Sequence, residues 1–581
     1  MTRLGHSYNQ QGDSCFCVFA PKPESVQLQL EPSGPTVPMQ RDEQGYWHAT
    51  VAALPQGQRY RYLVDGTPYP DPASRWQPDG VHAPSAIATV EKVHSPGWHG
   101  VKMADAIIYE LHLGTFTPQG TLRSAMEKLP HLQQLGITVI ELMPIATFPG
   151  HRNWGYDGTY LFALQPDYGS YADLKAFIEA AHSHGMAVLL DVVYNHFGPE
   201  GNYSGVYAPY TKQAATPWGA AINFDGGHSE GIRDFYLANT RYWLQEIGFD
   251  GFRMDAVSLV FDNSPRHILR EITDLARTIG AAEDREILMI AEHLCNETMV
   301  TAEQGYRYHS QWNDDLNHAL FAYLTPERTR HYASFGDFGA ITKALEEGFV
   351  LDGSRFDHHS NRKKGTNSRH THPSEHVVHI QDHDQIGNRP VGDRMIASYG
   401  RDKALLAVTT VLASPYVPML FMGEEYGETA PFLFFEEFGD NRLVTAVRKG
   451  RKREFAFSGV TPRDAHEEAA FTDSRLQWAR RDSHDGEAIF TYYRTLIALK
   501  RQGVLGPRDR SRLQVRSDQA RQLIEIETPQ SLTLLNFSHQ PLSIQPDGCW
   551  QFHIGSQEQQ SGEPLPAFGA RIYLRNRQKH E

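Results

Sequence analysis

The sequence predicts an α/β chain built on a (β/α)8 TIM barrel, with an N-terminal β-sandwich and a C-terminal β-sandwich. Three observations carry this. Short apolar runs alternate with amphipathic helical segments through the middle of the chain, those runs number eight, and the stretches on either side keep a two-residue period. At 581 residues there is room for three units, read as 1–95, 96–504 and 505–581.

In the first unit Val26, Leu28 and Leu30 alternate with Gln27, Gln29 and Glu31, and Tyr60, Tyr62 and Val64 repeat the period. A connector from Tyr69 to Pro84 holds Pro70, Pro72, Pro78 and Pro84 and has no periodicity. The apolar runs of the barrel begin at Ile107, Val139, Ala187, Gly251, Ile287, Tyr308, Val377 and Met419. Between the first two, Leu122, Met126, Leu129, Leu132 and Leu135 mark one face of a helix over Thr121–Leu135, stopped by Gly136. Further helices are expected near 171–184, 232–247 and 265–279. A doubly wound sheet would call for a Gly-rich phosphate loop, which the sequence lacks. The stretch between Asn195 and Ser229, rich in Gly, Tyr, Asn and Pro, reads as a long loop walling the C-terminal mouth of the barrel. From about 505, runs such as Leu523–Glu527 and Arg571–Leu574 restore the β pattern.

Composition excludes several function classes. With 55 Lys+Arg against 69 Asp+Glu the net charge is −14, the wrong sign for a nucleic-acid partner. The local basic cluster Arg448, Lys449, Arg451, Lys452, Arg453 reads as solvated or salt-bridged. The uncharged stretch Ala404–Gly423 holds Pro415 and Pro418, which split it into a helix end and a strand, so no membrane span is expected. Cys15, Cys17, Cys295 and Cys549 are too few for a disulfide framework, and the N-terminus has no apolar signal segment; both point to the cytoplasm. Seven histidines between His358 and His383 lie in a hydrophilic stretch read as a solvated loop, with His379 as a core residue. No metal or other cofactor is expected.

Active sites of such barrels lie at the C-terminal ends of the strands. The polar residues ending the apolar runs are Asp191 with Asn195 and His196, Arg253 with Asp255, Glu292, and His383 with Asp384. Converging carboxylates suit glycosidic cleavage: one stays ionised to meet the anomeric carbon, and another, with a raised pKa, protonates the departing oxygen. Arg253 shares a strand face with Asp255 and is placed to keep it ionised, while the apolar run before Glu292 favours a protonated form. Asp191 is read as supporting, neutralising Arg253. A metal-dependent hydrolase is the rival reading, but none of these strands carries a His-x-His pair. Flat aromatic rings stack on sugars, which makes Trp154, Tyr156, Trp218 and Trp312 candidates.

The segments Asp191-Val-Val-Tyr-Asn-His, Gly251-Phe-Arg-Met-Asp-Ala, Ile290-Ala-Glu-His and Gln381-Asp-His-Asp-Gln resemble the four ordered motifs of the α-amylase family of glycoside hydrolases. The resemblance implies a retaining double displacement, with Asp255 as nucleophile, Glu292 as general acid/base and Asp384 as transition-state stabiliser. It places Arg253, His196 and His383 at the substrate site and makes Tyr156 the sugar-stacking tyrosine. It also implies a carbohydrate-binding-like N-terminal unit. Phe19-Ala-Pro, Pro70-Asp-Pro-Ala-Ser-Arg, Pro149–Gly158, Gln385–Arg389 and Ala446–Phe455 resemble members that cleave the α-1,4 bond beside the terminal trehalose of maltooligosyltrehalose. A glucan-branching transferase, which passes the chain to a sugar hydroxyl, and a non-catalytic glucan-binding protein remain as alternatives. Asp382 stands where the family motif usually has Asn, and an added acid beside Asp384 is expected to raise one of the two pKa values.

Overall fold

The computed structural model describes residues 4–32, 34–546, 549–557 and 562–576, so the first three residues of the N-terminal segment lie outside it. Eight parallel strands close a barrel in chain order: β1 (Ile108–Leu111), β2 (Val139–Leu142), β3 (Ala187–Val192), β4 (Gly251–Met254), β5 (Leu288–Ala291), β6 (Ser310–Trp312), β7 (His376–Val378) and β8 (Val417–Phe421). β8 closes on β1 with Met419 beside Ile108. Every residue of these strands is buried, because helices cover the outer face and side chains fill the inner one.

The period of two sorts the inward face into layers. Ile108, Val139, Ala187, Leu189, Leu288 and Ile290 belong to one buried apolar cluster that fills the lower barrel. Two residues further along the same faces stand Glu110, Glu141, Asp191 and Glu292. The register keeps them level: Glu110 pairs with Glu141, and Asp191 with Arg253. Four of the strands, β1, β2, β3 and β5, therefore pass from an apolar to a charged inward residue near or just past their C-terminal ends.

The helix expected over Thr121–Leu135 is two helices, Leu122–Met126 and Leu129–Leu135. Pro130 is the cause: lacking an N–H, it is tolerated in the first turn of a helix but not inside one. The second helix ends at Gly136 with φ 101°, a left-handed conformation that suits glycine. The segment 195–229 contains one helical turn, Ser204–Tyr207, and a hairpin of Thr211–Thr216 and Gly219–Ile222. Ala404–Gly423 divides at Ser414–Tyr416 into the helix Arg401–Ala413 and β8. Among the described residues no helix is long and apolar enough to cross a membrane.

The N-terminal strands form two antiparallel sheets. One orders Gly5–Tyr8, Ser14–Phe19, Tyr46–Val51 and Gln40–Arg41; the other is centred on Val26–Glu31 and Arg59–Val64. This unit sits on the barrel. The Tyr46 hydroxyl donates to Asp234 at 2.5 Å, Tyr207 donates to the Pro70 carbonyl at 2.8 Å, and Lys22 reaches the Gly205 carbonyl at 3.3 Å. At the other end, Gln514–Asp518, Leu523–Glu527, Ser531–Asn536, Ala570–Arg575 and Trp550–Gly555 form one antiparallel sheet in that order. It packs against the helices Phe338–Glu347 and Arg401–Ala413.

Gly251 opens β4 at φ 151°, where an added Cβ would lie 1.9 Å from the Leu288 carbonyl oxygen of β5. Gly251→Ala should force the two strands apart and cost about 2 kcal/mol, read as a lower thermal midpoint. An unchanged midpoint would show that β4 and β5 have slack there.

Candidate active site

The charged layer converges on Arg253, which is fully buried. One terminal nitrogen of its guanidinium donates to both oxygens of Asp191, at 3.0 and 2.8 Å, and to Asp255 at 2.9 Å. The other donates to Glu292 at 2.9 Å. Trp312, which is 4 % exposed, lies with its ring centroid 4.1 Å from the guanidinium carbon. Three carboxylates from three strands thus share one planar fork, a geometry that arginine supplies and lysine does not.

Further donors orient each carboxylate. The Asn195 amide gives 2.7 Å to Asp255, and the Tyr156 hydroxyl gives 2.6 Å to Asp191. The backbone N–H of Ala256 gives 2.9 Å to Glu292. Ala256 has φ 39°, a left-handed conformation unusual for a residue with a Cβ, at the turn immediately after Asp255. Burial pushes the Glu292 carboxyl well above the usual range; Arg253 opposes this, while the negative charges of Asp255 and Asp384 add to it. Burial also lifts Asp191, against the pull of Arg253, to about 6.

His383 and Asp384 open the short helix His383–Gly387 that follows β7. The Asp384 carboxyl is raised by burial, opposed by His383 and Arg253, and accepts from the Asn388 amide at 2.9 Å. His383 donates through Nδ1 to Glu110 at 2.5 Å and through its backbone N–H to the same carboxylate at 3.2 Å. Burial disfavours the imidazolium, but the Glu110 and Asp384 carboxylates outweigh it and lift His383 to about 10. Asp382 turns away to cap the helix after it, accepting from the Gln385 N–H at 2.6 Å. Burial carries its pKa to about 7, against His379 and His383.

The aromatic candidates separate. Tyr156 stacks on His383 with ring centroids 5.0 Å apart, and Trp218, half exposed, stacks on His196 at 5.6 Å. His196 also contacts the Tyr156 carbonyl at 3.1 Å and Asn195. Trp154 requires a correction: it is only 3 % exposed, and its indole N–H is spent on the Leu433 carbonyl at 2.8 Å. It backs His383, 5.4 Å away edge to face, and offers no sugar-facing surface. Trp312 lies beneath Arg253 and also lines the cavity beside Glu292.

The strand-end search missed Glu110 and Glu141. Both sit mid-strand, and a lone acid inside an apolar run was the available signal. Among the described residues neither Glu141 oxygen has a hydrogen-bond partner, and burial together with the Glu110 charge pushes its pKa well up. Arg451 was also missed. It leaves the basic helix Asn441–Glu454 to donate to Gly387 and Asn388 at 2.8 and 3.1 Å, behind Asp384.

The description of the alpha amylase catalytic domain matches residues 70–218 and 224–505. The chain belongs to the α-amylase family of glycoside hydrolases. Carbohydrate-binding module 48, the isoamylase N-terminal domain, matches residues 3–77. Malto-oligosyltrehalose trehalohydrolase of Saccharolobus solfataricus is 40 % identical over 505 residues, covering 86 % of this chain and 87 % of that one. The protein of the same name from Rhizobium sp. is 40 % identical over 510 residues, 84 % and 85 % of the two chains. The 1,4-alpha-glucan branching enzyme of Bacillus caldolyticus is 28 % identical, covering 73 % of this chain and 66 % of that one. A crystal structure of a Salmonella typhimurium protein described as an alpha amylase superimposes with a TM-score of 0.90 at 35 % identity, covering 99 % of this chain and 100 % of that one.

Glu110→Gln should lower the His383 pKa from about 10, because the largest charge favouring the imidazolium is removed. The His383 resonance, followed by histidine-selective NMR, should then titrate at a lower pH than in the unsubstituted protein. An unmoved titration would assign the raised value to another neighbour.

Proposed function

We propose that the chain hydrolyses, with retention, the α-1,4-glucosidic bond next to the terminal trehalose of maltooligosyltrehalose, releasing trehalose and a maltooligosaccharide. The observation that carries the reaction type is the Arg253 fork, which sets Asp255 and Glu292 on adjacent nitrogens while burial keeps Glu292 protonated. The trehalohydrolases that match most of the chain at 40 % identity support the substrate.

In the first step the Asp255 carboxylate attacks the anomeric carbon, and Glu292 gives its proton to the departing trehalose oxygen. The bond from C1 to that oxygen breaks as an ester to Asp255 forms. Glu292, now ionised, takes a proton from water; the water oxygen attacks C1 and expels Asp255. Asp384 and the His383 imidazolium hold sugar hydroxyls as positive charge develops on the ring, and Tyr156 supplies the stacking face. Trp218 and His196 extend the same wall, with Asp191 fixing Arg253. No step requires a metal. The units 1–95, 96–504 and 505–581 belong to the same reading, supported by family matches ending at 77 and 505. Cytoplasmic residence fits the absence of disulfides among the described residues.

Incubation with maltooligosyltrehalose should release trehalose, whereas new α-1,6 branches without trehalose would overturn the reading in favour of a branching transferase. Asp255→Asn should reduce kcat at least about 10⁴-fold with binding retained; an unchanged rate would remove Asp255 as nucleophile. A general acid must be protonated to act, so activity should fall as pH rises through the elevated Glu292 pKa, giving an alkaline limb above the ordinary glutamate range. Glu292→Gln should abolish that limb along with most of the activity.

A further inference from the structure

A cavity of about 650 Å³ opens from Glu292 and Asp384 between the loops after β6 and β7 and the segment 455–460. Glu292 lines it and Asp255 does not. The group that gives up a proton faces the leaving group, so the departing half of the substrate belongs in this space.

The lining combines exposed apolar side chains with charged ones. Nine large hydrophobic side chains are left exposed among the described residues, and four of them, Leu294, Val391, Phe457 and Val460, line this one cavity. Phe457 is the largest of the four and is 55 % exposed. Such a concentration marks a binding surface, since scattered exposed residues need no explanation but clustered ones do. The same lining holds Asp314, the first residue of the helix Asp314–Leu324. Its carboxylate accepts from His379 Nε2 at 3.2 Å, and the same nitrogen lies 3.6 Å from Asp382. Burial works against ionisation of Asp314, but the His379 hydrogen bond and the charges of His318 and His379 outweigh it and hold the carboxyl below the usual range. The cavity thus pairs a fixed hydroxyl acceptor with an apolar ring face, the two features by which proteins hold sugars.

We propose that, on the leaving-group side of this site, Phe457 and Asp314 are the side chains that select a trehalose end over a maltooligosaccharide end. The inference rests on the hydrolytic reading above. In trehalose the second ring is attached through its C1, whereas in an α-1,4 chain it is attached through O4, so the two disaccharides present the second ring reversed. Contacts to that ring, more than contacts to the first, can tell them apart.

The test is steady-state hydrolysis of maltooligosyltrehalose and of a maltooligosaccharide of equal length, together with product inhibition by trehalose. Phe457→Ala should raise KM for the trehalose-ended substrate and the inhibition constant for trehalose about tenfold, with kcat and the maltooligosaccharide KM changed less than about twofold. Phe457→Tyr should restore both constants. Asp314→Asn should act in the same direction, losing a charge-assisted hydrogen bond. Equal changes on the two substrates, or an unmoved trehalose inhibition constant, would overturn the inference while leaving the hydrolytic reading intact. Failure of the unsubstituted protein to release trehalose would overturn that reading itself.

Discussion

A fully buried guanidinium inside a barrel must be neutralised on every side, and the site follows from how this is done for Arg253. Removing such a charge from water costs several kcal/mol, recovered only if each donor meets an acceptor in good geometry. Asp191, Asp255 and Glu292 come from the ends of three consecutive strands to meet it. The requirement is mutual: the arginine fixes where three acids stand, and the acids fix the plane of the arginine over Trp312. Parallel register does the rest, because Arg253 lies directly beside Asp191 across the β3–β4 pairing.

The neutralisation is incomplete by design of the layer. Glu110, Glu141, Asp191, Asp255, Glu292, Asp382 and Asp384 crowd around one arginine and the histidines His379 and His383. Too few positive charges are present for every carboxyl to ionise, so protons remain on those most removed from water and least favoured by donors. Glu141, whose oxygens have no hydrogen-bond partner among the described residues, is pushed strongly towards keeping one. Glu292 keeps one beside the cavity mouth, where it can be passed on. The raised pKa of Glu292 is therefore a property of the whole layer, with Asp255 and Asp384 contributing by repulsion.

The eight barrel strands were legible because burial on both faces makes each a short continuous apolar run, and the turns that follow them end in polar residues. The catalytic candidates were legible for the same reason, since a strand end is a position that sequence spacing can locate. What escaped depends on contacts between distant segments. Glu110 is 273 residues from the histidine it holds, and Arg451 is 63 from Asn388. Trp154 looked like a sugar platform in sequence, yet its depth is set by Phe432 and Leu433, far along the chain. Of the histidine-rich stretch expected to be solvated, His358, His359, His370 and His372 are exposed, but His376 is fully buried at the start of β7. His379 is buried as expected but only half satisfied, pairing with Asp314 through one nitrogen while the other has no partner. The interrupted helix at Pro130 is different in kind: the residue was visible, and periodicity was allowed to override it.

The segment that carries Trp218 to the mouth of the barrel is fastened to the N-terminal unit through Tyr207 and Gly205, and the adjoining helix through Asp234. That unit, which matches carbohydrate-binding module 48, therefore also braces the barrel. The wall on the His196 side is thus braced from outside the barrel, whereas the opposite side is framed by the barrel's own loops after β6 and β7.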